Sequence, residues 1–151
     1  MASELLLLRS GRRLCALSVS CVDEIMRPMP VESLPGAPPF VRGLSIVRGR
    51  PTPIVDLRAI LGDDDRSSPG RLVTVRVETN RRVGLLVDDV MGIRDAKALV
   101  REAPPSLLQE AASEIVEELA RLDDALLTIL RAGNLYPEGV DEQISRGEDA
   151  Q

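Results

Sequence analysis

Three runs of neighbouring aspartates are the residues of this 151-residue sequence best suited to chemistry, because paired carboxylates can hold a divalent cation. The runs are Asp63-Asp64-Asp65, Asp88-Asp89 and Asp123-Asp124. The first and third lie in predicted turns, where aspartate bonds to its own backbone and tolerates unusual φ angles. We interpret these two runs as solvated turns, so only Asp88-Asp89 needs a closer test.

Asp88-Asp89 ends the apolar run 84–87, and this arrangement resembles the first strand of phospho-acceptor receiver domains. Such a site also needs an aspartate at the end of a later strand and a lysine on a still later strand to neutralise phosphate. The single lysine, Lys97, lies only eight positions after Asp89, and the alternation of strands and amphipathic helices is missing. A receiver therefore stays a second hypothesis, which rests on the aspartate pair alone.

Other catalytic constellations are absent from the sequence. There is no histidine, so a Ser-His-Asp triad, an imidazole metal ligand and a histidine phosphotransfer site are all excluded. Cys15 and Cys21 have the spacing of neither a redox pair nor a zinc site, and we interpret them as small apolar fillers. No glycine-rich phosphate-binding loop is present. We predict no catalytic residue, no cofactor and no metal, hence a binding module instead of an enzyme.

The overall composition limits the class of partner. Hydrophobic residues make up 44% and charged residues 28%, with a net charge of −5, which argues against nucleic-acid binding. Only Phe40 and Tyr136 are aromatic, so base-stacking platforms are missing. No apolar run approaches the roughly 20 residues of a spanning helix. We expect a cytoplasmic protein without direct membrane insertion.

Alternating apolar residues separated by turn signals predict three β-hairpins. They comprise 4–9 with 14–19, 41–47 with 52–57, and 71–79 with 83–90. Between the first two, five prolines within 28–39 exclude a helix or a central strand. Short helical pieces are predicted at 58–61, ended by Gly62, and from the capping box at Ser106.

The segment from Ile115 to Leu122 has apolar residues at helical spacing, so its pattern fits a helix and a strand equally well. The many short strands indicate an all-β fold of one or two small barrels with short helices. Closure into a barrel would also remove the exposed sheet edges that short hairpins leave.

The stretch from Ser33 to Gly62 carries an ordered set of motifs. A proline-rich approach leads into Val41-Arg42-Gly43-Leu44, then the turn Ile46-Val47-Arg48-Gly49 and the strand Pro53-Ile54-Val55-Asp56-Leu57. Upstream, Val22-Asp23-Glu24-Ile25 resembles a Val-x-Glu-Ile motif, and the segment 83–90 resembles Val-Gly-Ile-x-Val-Asp-x-Val. Over residues 4–136 this set closely resembles CheW, the chemotaxis coupling protein family.

The resemblance implies two small five-stranded SH3-like β-barrel subdomains packed side by side in one domain, 4–136, and it places Ile115 to Leu122 on a strand. Residues 137–151 form a polar tail that we expect to be disordered. The implied function is a non-enzymatic scaffold between the cytoplasmic tip of a chemoreceptor and the regulatory domain of a CheA-like histidine kinase. Other CheW-like domains are further implied partners, and the output served is flagellar or another.

The resemblance also assigns partner-binding residues. Val22 and Glu24 match positions of the kinase surface, and Arg48 with Gly49 matches the family turn tied to both kinase and receptor coupling. Val87 and Val90 fall near the groove between the barrels, where the receptor tip is expected to dock. The assigned residues are therefore Val22, Glu24, Arg48, Gly49, Val87 and Val90.

Each assignment has a structural alternative. The three valines could be core residues, Glu24 a solvated charge, and Arg48 a turn residue paired with Asp56. The turn reads Ile46-Val47 where the family has Asn-Leu, and Pro51 adds a second proline that should weaken strand pairing. An inhibitor that binds the kinase without the receptor would keep the same fold.

Overall fold

The computed structural model describes residues 4–62, 68–78, 80–101, 114–140 and 144, and this part of the chain forms two packed β-sheets. The strands are β1 (Glu4–Ser10), β2 (Arg13–Ser18), β3 (Val22–Met26), β4 (Val41–Val47), β5 (Arg50–Asp56), β6 (Arg71–Glu78), β7 (Arg81–Val87), β8 (Asp89–Asp95), β9 (Val100–Arg101), β10 (Val116–Leu122) and β11 (Ala125–Leu130). One short helix, α1 (Leu57–Ile60), follows β5, and single 3-10 turns cover Val19–Cys21, Ala96–Ala98 and Ala132–Asn134.

The strands divide into a six-stranded sheet, in the order β8-β1-β2-β11-β10-β9, and a five-stranded sheet, in the order β3-β6-β7-β5-β4. Each sheet contains one parallel pair, β2 with β11 and β5 with β7, and is otherwise antiparallel. The all-β class and the hairpins β1–β2, β4–β5 and β6–β7 are confirmed. Residues 116–122 are a strand, as the resemblance implied, and not a helix.

Two details of the predicted architecture are wrong. Neither sheet closes into a barrel through the strand pairing of the described residues, and the two-residue β9 adds a sixth strand to the first sheet. Val90 does not extend the strand that contains Val87, because the chain leaves the five-stranded sheet at Asp88 and continues in the other sheet as β8. The Asp88 amide donates to the Arg9 carbonyl at 2.9 Å, which begins this change of sheet. The helix start predicted at Ser106 lies outside the described residues.

The main core lies between the two sheets. Leu6, Leu8 and Leu17 from the six-stranded sheet pack with buried residues of the five-stranded sheet, including Val73 and Leu85. The intervening leucines of β1, at positions 5 and 7, pack in a second core on the opposite face. Strand β1 is therefore buried on both sides, which explains its run of four leucines.

Cys15 is fully buried in the main core, as expected for an apolar filler. Burial raises the pKa of the Cys15 thiol to about 12, because the charged thiolate would lose its hydration. The thiol stays protonated and unreactive near neutral pH. Of the predicted tail, Val140 is buried, and most of the segment after it lies outside the described residues.

The proline-rich segment partly compensates for the open five-stranded sheet. Glu32 and Leu44 exchange two backbone hydrogen bonds of 2.8 Å, and the Ser45 hydroxyl donates to the Pro30 carbonyl at 2.7 Å. This isolated bridge covers part of edge strand β4. Gly43 makes it possible, because its φ is +144° and a Cβ there would overlap the Glu32 carbonyl.

A buried ion pair joins the two sheets. Arg58 of α1 donates from Nη2 to Oδ1 of Asp88, and the two side chains are only 4% and 9% exposed. The other Asp88 oxygen accepts from the backbone amide of Gly11 in the β1–β2 turn. Asp88 thus connects α1, the change of sheet after β7 and the first hairpin. Asp56 supports α1 from the other end, because its carboxylate accepts from the Arg58 amide at 3.0 Å.

We predict that Gly43→Ala lowers the free energy of unfolding by about 3 kcal/mol, since the added Cβ both strains φ and displaces the Glu32 carbonyl. Gly36→Ala is the matched control, because Gly36 also has a positive φ of 79° but nothing lies within 4 Å of its Cβ position. That control should lose only about 1–2 kcal/mol. Urea unfolding of both variants measures the difference, and equal losses would contradict the close approach.

Asp88→Ala is expected to cost about 3 kcal/mol of unfolding free energy, because it leaves the buried guanidinium of Arg58 without this carboxylate. Asp89→Ala is the control, since Asp89 is exposed and its carboxylate accepts from the adjacent Val90 amide. The control should stay within about 0.5 kcal/mol of wild type. Chemical denaturation of both variants tests the assignment, and similar losses would show that the ion pair is not a main inter-sheet contact.

Candidate partner-binding surface

The β4–β5 turn presents two of the residues assigned from the sequence. Arg48 and Gly49 occupy the two central positions, with φ angles of 52° and 77°. Two consecutive left-handed residues are typical of a type I′ hairpin turn, which matches the twist of the flanking strands. Gly49 adopts this positive φ without steric cost, because it has no Cβ. Nothing in the sequence indicated that Arg48 would share it, because arginine rarely adopts this conformation.

Arg48 forms a bidentate ion pair with Glu24 of β3. Its Nε lies 3.2 Å and 3.1 Å from the two carboxylate oxygens, and its Nη2 lies 2.6 Å from Oε1. Strands β3 and β4 are the opposite edges of the five-stranded sheet, so the pair connects one edge to the turn at the other. The alternative pairing of Arg48 with Asp56 is wrong, because Asp56 instead accepts from Nε and Nη2 of Arg42 at 2.9 Å and 2.5 Å.

The ion pair is accessible to solvent. The side chain of Arg48 is 68% exposed and that of Glu24 is 35% exposed. The hydrogen bond from Arg48, together with its charge, lowers the pKa of Glu24, and the same bond raises the pKa of Arg48. Because exposed ion pairs are screened by water and salt, this one is a poor source of stability. The guanidinium of Arg48 is nevertheless held in a defined orientation by Glu24, and a partner can recognise this arrangement specifically.

Strand β3 is held firmly although it lies at a sheet edge. The pairing of β3 with β6 shifts register between Val22 and Glu24, and the Thr74 hydroxyl fills the resulting gap by accepting from the Glu24 amide at 2.9 Å. Asp23 lies within the shift, with its carboxylate 3.0 Å from Nε of both Arg76 and Arg82. These contacts fix the backbone that carries Glu24.

Two exposed apolar residues are close in sequence to the ion pair. Ile25 follows Glu24 in β3 and is 46% exposed, whereas Ile46 precedes the turn in β4 and is 61% exposed. Our sequence reasoning treated Ile46 only as a departure from the family turn. The outward-facing phase of β4, which alternates buried and exposed positions, is the signal that could have identified it. Val22 is half-buried and packs against the main core.

Val87 and Val90 lie elsewhere. Val87 is 1% exposed in the core at the end of β7, opposite to the end that meets the β4–β5 turn, so its side chain offers no surface here. Val90 is half-buried on β8, an outer strand of the six-stranded sheet, and precedes the exposed Met91 and Ile93. Of the six assigned residues, Glu24, Arg48 and Gly49 lie at the ion pair, Val22 and Val87 lie against or within the main core, and Val90 lies on a separate edge strand.

The carboxylates of Asp88 and Asp89 do not converge, because Asp88 binds Arg58 and the Gly11 amide whereas Asp89 accepts from Val90. The receiver hypothesis therefore loses the observation on which it rested, a pair of aspartates that could act together. Within the described ranges, no group of three His, Cys, Asp or Glu side chains is arranged to hold a metal ion. Among the same residues, no helix is long and apolar enough to span a membrane.

The lowered pKa of Glu24 gives a test of the pair. A carboxyl group whose folded pKa is depressed contributes stability above its unfolded pKa, and this contribution is lost as pH falls through the folded value. We predict that Glu24 titrates below 4.5 in the wild type and moves up towards 4.5 in Arg48→Met, with Arg48→Lys between them. Carboxyl-carbon NMR titration measures this, and an unchanged midpoint in Arg48→Met would contradict the ion pair.

Comparison with known proteins agrees with this architecture. Among curated proteins, the chain is 26% identical over 140 residues to the "Probable chemotaxis protein CheW" of Rhizobium etli, which covers 92% of this chain and 90% of that protein. It is 25% identical over 119 residues to the "Chemotaxis protein CheW" of Bacillus subtilis, covering 78% and 76%. A shorter match, 35% identical over 89 residues, relates it to "Protein PilI" of Pseudomonas aeruginosa, covering 57% and 49%.

The fold has a solved counterpart in the scaffolding protein TtCheW from Thermoanaerobacter tengcongensis. The TM-score is 0.72 at 24% identity, with 87% of this chain and 90% of that chain covered. The model of the CheW-like domain family matches residues 4–138, which include every described strand. This chain is therefore a member of the CheW-like domain family.

Proposed function

We propose that this protein is a non-enzymatic chemotaxis adaptor that couples chemoreceptors to a CheA-like histidine kinase in a bacterial signalling array. The observation that carries the proposal is the family match over residues 4–138, supported by relatives whose names identify them as chemotaxis proteins. The proposed location is the cytoplasm, at receptor arrays on the inner membrane. The output is flagellar or another chemosensory response.

We assign the kinase to the surface around the Glu24–Arg48 ion pair. Protein interfaces combine an apolar centre with a polar rim, and here the exposed Ile25 and Ile46 lie one and two positions along the chain from the charged pair. The backbone of Gly49 carries no side chain, and nothing lies within 4 Å of its Cβ position, so a partner can approach this turn closely. Val22 supports this surface from the core side.

We assign the receptor tip to the region of β8. Its outer edge has no strand neighbour among the described residues, and Met91 and Ile93 are each 53% exposed. An uncovered edge with apolar side chains favours pairing with another chain or contact with an apolar helix face. Val90 belongs to this region, whereas Val87 contributes only through the core beneath it. Other CheW-like domains are alternative occupants of the same edge.

Reconstitution tests the coupling function directly. The full chain is mixed at micromolar concentration with the cognate kinase and a receptor cytoplasmic fragment, and the mixture is separated by size exclusion. A ternary complex is expected. Binding of the kinase without the receptor would indicate an inhibitor or decoy, and binding of neither would contradict the adaptor function. Acetyl phosphate with Mg²⁺ should leave no aspartyl phosphate on this chain.

Arg48→Ala should weaken kinase binding by about 1–3 kcal/mol while the midpoint of thermal unfolding stays near that of the wild type, as expected for an exposed interface hot spot. Calorimetric titration against the kinase regulatory domain measures the affinity. Arg12→Ala is the control, because Arg12 is exposed in the β1–β2 turn of the other sheet. A collapse of thermal stability in Arg48→Ala would instead assign Arg48 a structural role.

A charge exchange separates the two functions that Arg48 could have at the interface. The double variant Glu24→Arg with Arg48→Glu keeps an ion pair but reverses the charges that a partner meets. If the pair only rigidifies the turn, the double variant should bind like the wild type. We expect it to bind as weakly as Arg48→Ala, because a directly contacted guanidinium cannot be replaced by a carboxylate.

A further inference from the structure

A small pocket rich in arginine adjoins the β4–β5 turn. It has a volume of about 260 Å³ and is formed where this turn meets the turn between β6 and β7. Arg50, Arg81 and Arg82 line it, and no described lining residue is acidic. We call these three residues and the space between them the arginine pocket. Gly49, at the ion-pair turn, lines the same space.

Arg50 is the arginine of this pocket that has no carboxylate partner among the described residues. Arg82 pairs with Asp23 at 3.0 Å, and Arg81 lies 3.7 Å from Glu78. Arg50 is different, because the acceptor that it binds is the Asn80 carbonyl, at 3.4 Å. No carboxylate among the described residues lies within ion-pair distance of Arg50, although the chain as a whole carries a net charge of −5. An exposed guanidinium without a described carboxylate partner favours acidic groups on a binding partner.

The lining of the pocket is held in place. The guanidinium of Arg81 stacks on the Tyr136 ring, 5.1 Å from its centroid, and Arg82 forms an ion pair with Asp23. Donors fixed before binding lose less conformational entropy when a ligand arrives. Carboxylates match the planar fork of guanidinium donors, so they are the groups that this lining recognises best.

We propose that the arginine pocket binds side-chain carboxylates of an acidic segment in the protein partner that docks at the Glu24–Arg48 ion pair. This inference rests on the proposed function, because the pocket and the ion pair share the turn 48–49. A volume of about 260 Å³ is below that of typical small-molecule sites, and it suits a few acidic side chains of a docked surface. Arg50 is the leading contact.

Arg50→Glu tests the proposal in the full chain. Binding is measured separately against the kinase regulatory domain and a receptor cytoplasmic fragment, at low and at high NaCl concentration. At low salt we expect about tenfold weaker binding to the kinase regulatory domain, mainly through a slower association rate, and a smaller difference at high salt. Binding to the receptor fragment should not change, and a loss confined to the receptor would overturn the proposal. Thermal unfolding should not change, since Arg50 is exposed.

Arg12→Glu is the matched control, because it changes the net charge equally at an exposed turn of the other sheet. An equal loss in Arg12→Glu would show a net-charge effect and overturn the proposal, as would wild-type affinity in Arg50→Glu. If the wild-type chain bound neither protein at any salt concentration, the proposed function would fail first. Binding that is unaffected by Arg50→Glu instead rejects the pocket alone.

A second full-length variant addresses carboxylates of the chain itself. Four acidic residues follow Val140, and they become amides in Asp141→Asn, Glu142→Gln, Glu148→Gln and Asp149→Asn combined. Partner affinity equal to that of the wild type supports an external acidic segment. A tighter complex that no longer responds to Arg50→Glu would assign the pocket to the chain's own carboxylates and overturn the proposal.

Discussion

The buried ion pair between Arg58 and Asp88 is the contact on which the arrangement of the two sheets depends. Burying a charge is costly unless it is paired and hydrogen-bonded, so these side chains constrain each other strongly. Asp88 lies where the chain passes from one sheet to the other, and it also accepts from the Gly11 amide. One carboxylate therefore fixes the helix after β5, the end of β7 and the first hairpin relative to one another. The Asp88-Asp89 pair that resembled a phosphorylation site is, at Asp88, a structural element.

Local patterns predicted much of the fold. The alternation of apolar and polar residues identified the hairpins, and the helix end predicted at Gly62 coincides with a glycine of positive φ. Periodicity alone did not decide between helix and strand for residues 115–122, because an interrupted apolar pattern fits both. The continuation of Val87 into Val90 was predicted wrongly, since the change of sheet between them depends on partners distant in sequence. The prediction that each sheet closes into a barrel was wrong for the same reason, because closure also depends on pairing between strands distant in sequence.

The sequence predicted individual residues of the candidate site, but it did not predict which of their side chains contact each other. Glu24 and Arg48 are 24 positions apart and belong to opposite edges of the five-stranded sheet, yet Nη2 of Arg48 lies 2.6 Å from Oε1 of Glu24. The competing pairing with Asp56 looked reasonable because those residues are closer in sequence. Arg50, Arg81 and Arg82 had no motif to identify them, because each is an ordinary surface arginine until two turns meet. The resemblance to the family supplied positions, and the contacts supplied their chemistry.

The position of β1 has a consequence for how the chain reaches this structure. Its four consecutive leucines are synthesised well before β8, with which β1 pairs. The neighbouring strand β2 waits longer still, because Leu14 pairs with Leu127 of β11. Until those later strands are made, at least one apolar face of the β1–β2 hairpin remains exposed to solvent. Folding dominated by such distant contacts is slow and exposes chains to aggregation. The nascent protein is therefore most vulnerable between synthesis of its first and last strands, and chaperone dependence should be greatest in that interval.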